Sequence, residues 1–162
     1  METNKYKADL TAKEAARAEG EDPTAQPAPE KFHRQPLSFV RRGDRLTGRR
    51  LKAWEEYSPT HVLDLPRLLT DTSVAPEAHF DAEEVFGRTA PLTVEIGSGL
   101  GEAIVHRAAE QPERNFLAVE VYTPGIADLL RKMASEGVNN VRVAQANAPE
   151  LLDNMFDDCL LY

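Results

Sequence analysis

The segment most restrictive of fold is Leu92–Val121, LTVEIGSGLGEAIVHRAAEQPERNFLAVEV. Its parts fall in a fixed order. Leu92–Ile96, in which apolar and polar residues alternate, is a strand candidate. Gly97, Gly99 and Gly101 stand at alternate positions. From Leu100 to about Glu110 the pairs Ile104/Ala108 and Val105/Ala109 recur at helical spacing, and Pro112 follows. Phe116–Val121 is almost wholly apolar, as a strand buried on both faces requires. Strand, glycine turn, helix and strand in this order predict a βαβ unit with parallel strands.

The alternation continues downstream. Pro124 suits the first turn of a helix reaching about Glu136, and Gly137 stops it. Val141–Ala144 is a third strand and Pro149–Met155 a short helix. Cys159–Tyr162 opens another apolar run, and the sequence ends there. The expected fold class is α/β: a partial Rossmann-like parallel sheet with flanking helices.

Upstream, the composition divides the chain. Residues 1–30 are polar and end in EDPTAQPAPE, which predicts a disordered tail. Residues 31–60 form a basic arm. Its stretch 31–52 holds eight basic side chains against one acid, a net charge of +7 in a chain whose total is −8. Such asymmetry fits a polyanionic partner, or equally a solvated arm. Thr47 is positioned to cap a helix running to about Tyr57, with Pro59 marking its end and Leu51 and Trp54 on one side. Residues 61–91 read as an irregular lead-in with one or two short helices. With the sheet region they make up the third expected unit, 61–162.

Several function classes drop out. Cys159 is the only cysteine, so no disulfide framework or cysteine-rich metal site is expected. His33, His61, His79 and His106 lack metal-ligand spacing. No apolar run approaches the roughly 20 residues that span a bilayer, and the first residues lack the apolar core of a signal peptide. A reducing, cytoplasmic setting is the expectation.

The glycine turn narrows the ligand. A dinucleotide fingerprint needs its third glycine at position 102, which is Glu102. A phosphate-binding loop of the Walker type needs a lysine, and none is present. What remains is an acid, Glu95, followed by glycine at 97, 99 and 101. S-adenosyl-L-methionine fits this chemistry. It has no phosphate and carries a sulfonium, an ammonium and a carboxylate. Bare backbone at the glycines admits close approach, a helix N-terminus meets the carboxylate, and acidic side chains offset the positive charge. Glu120, 19 residues after Gly101, stands at the end of the second strand, where an acid accepts from ribose hydroxyls. Asn147, after the third strand, offers a carbonyl to an adenine amino group. Each residue also has an ordinary reading: Glu120 as a capping or surface acid, Asn147 as a turn residue. Their joint spacing favours the ligand.

The stretch VEIGSGLGEAIVHRAAEQPERNFLAVEVYTPGI closely resembles the cofactor segment of bacterial tRNA (guanine-N7)-methyltransferases. SFVRRGDRLTGRRLKAWEEY resembles that family's arginine-rich N-terminal segment, and FGRTAPLTVEIG its approach to the first strand. The resemblance runs from about Ser38 to Met155, with a variable patch around 60–80. It implies a class I methyltransferase fold and methyl transfer from S-adenosyl-L-methionine to N7 of a variable-loop guanine in tRNA. Glu95 and Glu120 match the family's cofactor-binding acids. Asn147 falls where many members have aspartate, keeping the acceptor oxygen without the charge. Arg41, Arg42, Arg45, Arg49 and Arg50 are the candidate tRNA contacts, since guanidinium forks match phosphate oxygens. The family's Phe-Pro-Asp-Pro-Trp segment does not occur in the 162 residues. No catalytic residue is therefore assigned, and a C-terminally truncated chain of low solubility is the expectation. Two rivals stand beside this reading: a non-enzymatic cofactor- or tRNA-binding remnant, and a class I methyltransferase for another substrate. Oligomeric state is not encoded in these patterns.

Overall fold

The computed structural model of the protein describes Gly43 and residues 45–156. The tail 1–30, Arg41, Arg42 and the run Cys159–Tyr162 lie outside the described residues. Strands β1 (Leu92–Ile96), β2 (Asn115–Glu120) and β3 (Val141–Gln145) form a parallel sheet in that order. Helix α3 (Glu102–Glu110) joins β1 to β2, and α4 (Thr123–Glu136) joins β2 to β3. The βαβ expectation holds, and so do its punctuation marks. Pro124 lies in the first turn of α4, and Gly137 ends it at φ +67°.

β2 is the central strand, and all six of its residues are buried. Its alternate side chains serve two cores. Phe116 and Ala118 pack with Ile104, Val105 and Ala108 of α3, Ile126, Leu129 and Met133 of α4, and Val141 and Val143 of β3. Leu117 and Val119 face the opposite way. They pack with Leu65 and Val74 of the lead-in and with Leu151 and Met155 of α5 (Ala148–Met155). Continuous apolarity in β2 is thus the mark of a strand covered on both faces. Ala109 does not join this core. It is exposed, because the buried stripe of α3 runs through positions 104, 105 and 108.

Helix α1 (Gly48–His61) runs four residues past the expected end at Tyr57 and contains Pro59. In the last turn proline removes only one backbone hydrogen bond, and Val62 N–H still donates to the Ser58 carbonyl at 3.0 Å. Thr47 holds the extended N-cap conformation without a side-chain cap. Leu51 and Trp54, expected on one side of the helix, differ in burial. Leu51 is exposed, while Ala53 is buried and Trp54 and Tyr57 pack against the α3/α4 core. Arg50 shares that inward side, one turn before Ala53 and Trp54. The lead-in contains a single short helix, α2 (Ala82–Phe86), capped by the Asp81 carboxylate and closed by Gly87 at φ +67°.

His61, at the C-terminus of α1, gives a pH dependence. Burial lowers its imidazole below the ordinary 6.5; the Tyr57 carbonyl opposes this and the Arg142 charge adds to it. The unfolded chain then binds a proton more readily than the folded one. Stability rises with pH through this window and falls on acidification. The melting temperature should increase from about pH 5.5 to about pH 7.5, and His61→Gln should flatten that slope. Thermal scans across the range measure both.

Candidate functional site

The carboxyl ends of β1, β2 and β3 carry the three polar positions singled out in the sequence, and the glycine turn lies between β1 and α3. Gly97, Gly99 and Gly101 adopt φ values of +73°, +55° and +81°. This left-handed region is costly for residues with a Cβ. The turn is laced to β2. Gly97 and Ser98 N–H donate to the Val119 carbonyl at 2.8 and 3.3 Å, and Gly101 N–H donates to the Ser98 carbonyl at 2.9 Å.

Glu120 organises this lacing. Its Oε2 accepts from Gly99 N–H at 2.7 Å, and its Oε1 accepts from Val121 and Tyr122 N–H at 2.8 and 3.0 Å. One buried carboxylate therefore holds the glycine turn and the start of α4 together. A carboxylate offers about four acceptor positions, so three amides leave room for a further donor. Glu95, half-buried on β1, pairs in register with Ala118, two residues before Glu120. With side chains alternating along a strand, Glu95 and Glu120 share the face covered by α3 and α4.

Asn147 precedes α5 in the N-cap position, yet its side chain does not cap the helix. Its backbone N–H donates to the Thr72 carbonyl at 2.7 Å, and its carbonyl accepts from Leu151. The carboxamide is buried at 1% exposure, and neither its oxygen nor its nitrogen has a partner among the described residues. Ser98 Oγ is buried and unpaired in the same sense. Leaving a buried polar group unpaired costs about 1–3 kcal/mol. Unmet donors and acceptors at the carboxyl edge of a parallel sheet are what a polar ligand there would satisfy. Bare glycine backbone, two acids and an unpaired amide fit an adenosyl group bearing an amino-acid moiety.

Close packing beneath the turn was not foreseen from the sequence. A Cβ on Gly125, in the first turn of α4, would lie 2.7 Å from the Gly99 carbonyl oxygen. A Cβ on Gly101 would lie 2.6 Å from Leu129 Cγ. Lys132, further along α4, donates to the Leu100 carbonyl at 2.8 Å and pairs with Glu102. The available signal for Gly125 was a glycine inside a helix, which costs about 1 kcal/mol relative to alanine and so implies a packing reason.

Of the arginines proposed for RNA, Arg45, Arg49 and Arg50 are exposed. Arg50 alone of these three also reaches Asp128 on α4, with Nε and Nη2 at 2.9 and 2.7 Å from Oδ2. Arg131 Nε lies 3.5 Å from Oδ1. Burial by itself pushes the Asp128 carboxyl up. The Arg50 hydrogen bond and charge, with Arg131, outweigh burial and hold it below the ordinary aspartate value.

A cavity of about 540 Å³ lies at the other end of the sheet, lined by Phe86, Arg88, Pro112, Asn140 and Arg142 among others. Its arginines and Asn140 are committed to structure. Arg88 donates to Asn115 and the Arg114 carbonyl, Arg142 to the Asn139 and Val141 carbonyls, and Asn140 to the carbonyls of Ala108 at the end of α3 and of Gln111 and Arg114 in the following loop. Ligands of open α/β sheets bind at the carboxyl ends, so this cavity is not the candidate site. Among the described residues, no group of His, Cys, Asp and Glu is placed to hold a metal, and no helix is long and apolar enough to cross a membrane.

Comparisons with known proteins agree with this geometry. A family model described as "Putative methyltransferase" matches residues 89–161. The chain is 57% identical over 124 residues to a tRNA (guanine-N(7)-)-methyltransferase of Paenarthrobacter aurescens, covering 76% of the chain and 41% of the relative. It is 59% identical over 121 residues to the enzyme of that name from Arthrobacter sp., covering 75% and 38%. For the Cutibacterium acnes protein of that name, identity is 44% over 127 residues, covering 78% and 46%. The chain thus spans less than half the length of these curated relatives. With its parallel sheet, glycine turn and these matches, the chain belongs to the bacterial tRNA (guanine-N7)-methyltransferase family.

Proposed function

We propose that this chain forms the cofactor-binding part of a cytoplasmic enzyme that methylates N7 of a variable-loop guanine in tRNA. The observation that carries the cofactor reading is the Asn147 carboxamide, buried without a partner on the same sheet edge as the turn held by Glu120. In this reading Gly97, Gly99 and Gly101 present bare backbone to the amino-acid moiety, and Glu95 offsets its positive charge. Glu120 accepts from the ribose, and Asn147 meets the adenine edge. S-adenosyl-L-methionine supplies the methyl group. Guanine N7 attacks through a lone pair and has no proton to lose. The protein's task is therefore alignment and exclusion of water rather than acid–base chemistry, and none of the described residues is proposed as catalytic. Arg41, Arg42, Arg45 and Arg49 contribute phosphate contacts. Residues 1–30 serve as a tail, 31–60 as the RNA-facing arm and 61–162 as the first half of the methyltransferase domain.

Titration calorimetry with S-adenosyl-L-methionine, and with NAD as control, tests the cofactor. Asn147→Leu should weaken S-adenosyl-L-methionine at least about tenfold, while stability stays level or rises because an unpaired buried amide has gone. Equal affinity in wild type and variant would remove Asn147 from the site, and tight NAD binding would overturn the cofactor assignment. For the RNA partner, tRNA affinity should fall with rising salt and with Arg45→Ala or Arg49→Ala.

A further inference from the structure

Arg50 lies in the basic arm and carries the chemistry of a phosphate contact, yet its guanidinium is engaged within the chain. Two of its nitrogens converge on one oxygen of Asp128, and Asp128 is 8% exposed. The Arg50 side chain is itself 44% exposed, but releasing it to a phosphate would leave the largely buried Asp128 carboxylate with Arg131, at 3.5 Å, as its remaining cation, which is unfavourable.

The place of Asp128 on α4 gives the contact its meaning. Gly125, three residues earlier, packs under the Gly99 carbonyl. Leu129, the next residue, packs under Gly101. Lys132, four residues on, binds the Leu100 carbonyl and Glu102. A single helix thus supports the glycine turn along its length. Through Asp128 the same helix holds α1, the helix that follows Arg45 and presents Arg49. Ala53, Trp54 and Tyr57 continue that docking against the core.

We propose that Arg50 is a positioning residue: its pair with Asp128 docks the basic helix α1 onto α4, so that one rod fixes both the arm that meets RNA and the turn that meets the cofactor. Arg50 is thereby removed from the phosphate contacts. The coupling to cofactor and tRNA rests on the function proposed above; the docking itself does not.

The test uses the purified protein with Arg50→Ala, Asp128→Asn and the exchanged pair Arg50→Asp/Asp128→Arg. Arg50→Ala and Asp128→Asn should each weaken S-adenosyl-L-methionine by about tenfold, within the usual range of coupling between sites, and the exchanged pair should recover most of that loss. Arg50→Ala should leave the slope of log affinity for tRNA against log salt unchanged. Arg49→Ala should lower it by about 0.7–0.9, as loss of one phosphate contact does. A slope reduced by Arg50→Ala with cofactor affinity intact would overturn the proposal, as would failure of the exchanged pair to restore binding. Amide hydrogen exchange without ligand separates this from the functional reading. In Arg50→Ala and Asp128→Asn, exchange should rise together in Gly48–His61 and in the turn 97–101, with a shift in emission from Trp54, the single tryptophan. A rise confined to α1 would refute the coupling. A joint rise in a protein that binds neither ligand would sustain it while overturning the proposed function.

Discussion

Gly101→Ala is expected to collapse the cofactor turn. At φ +81° the new methyl group incurs the left-handed penalty, and it would meet Leu129 at 2.6 and 2.7 Å and that residue's Cα at 3.0 Å. Backbone strain of about 1–2 kcal/mol and overpacking of about 1–3 kcal/mol act together, for a loss of about 2–5 kcal/mol. Gly97→Ala isolates the first effect. Its φ is +73°, but nothing lies within 4 Å of the added methyl, so about 1–2 kcal/mol is expected. Gly125→Ala isolates the second. Alanine favours the helix, yet its Cβ would press on the Gly99 carbonyl oxygen at 2.7 Å. Net destabilisation there, despite better helix propensity, would establish that α4 seats the turn. Denaturant unfolding of the three variants, with S-adenosyl-L-methionine titration beside it, gives the ranking. Equal stability of the Gly97 and Gly101 variants would contradict the packing argument.

Glu120→Ala is the second large effect. Three backbone amides lose a charged acceptor at once: Gly99, Val121 and Tyr122. Hydrogen bonds to charged groups contribute about 1.5–3 kcal/mol each, but water at the sheet edge replaces part of the loss, so about 3–5 kcal/mol is expected overall. Cofactor affinity should drop by about a hundredfold or more, since the turn loses its tether and the ligand loses an acceptor. Glu120→Gln should fall between wild type and alanine. One amide oxygen remains for Val121 and Tyr122, while the NH2 group would face the Gly99 donor. If Glu120→Ala altered cofactor affinity but left stability unchanged, the side chain would act on ligand alone and the tether would be energetically idle.

The sheet and its crossovers were legible in the chain because their signals are local. Apolar runs of strand length, helical spacing at 104 and 108, Pro124 and Gly137 each act within a few residues, and the strands and helices appear where those signals stand. Two places where local reading fails, both on α1, share a cause. Pro59 marks a helix stop by local signal, but a missing amide bond in the last turn is cheap when Trp54, Tyr57 and Val62 already hold the segment to the core. Spacing puts Leu51 and Trp54 on one side of the helix, yet Trp54 packs on the core and Leu51 is exposed. Which face of α1 turns inward is set by α4, where Asp128 draws Arg50 and places Ala53 and Trp54 beneath it.

For the site, the amino-acid order alone determined which residues reach the carboxyl edge. Glu95, the glycines, Glu120 and Asn147 follow or close successive strands, and parallel pairing carries all of them to one end. Only the tertiary structure decided what each one touches there. That Glu120 grips three amides, that Asn147 is sealed without a partner, and that Gly125 lets α4 lie against the turn are contacts between segments 20 or more residues apart for Gly99–Glu120 and Gly99–Gly125. Side-chain spacing reports the period of one element. Contacts of this kind depend on how elements stack, and stacking is resolved only when the whole core is packed.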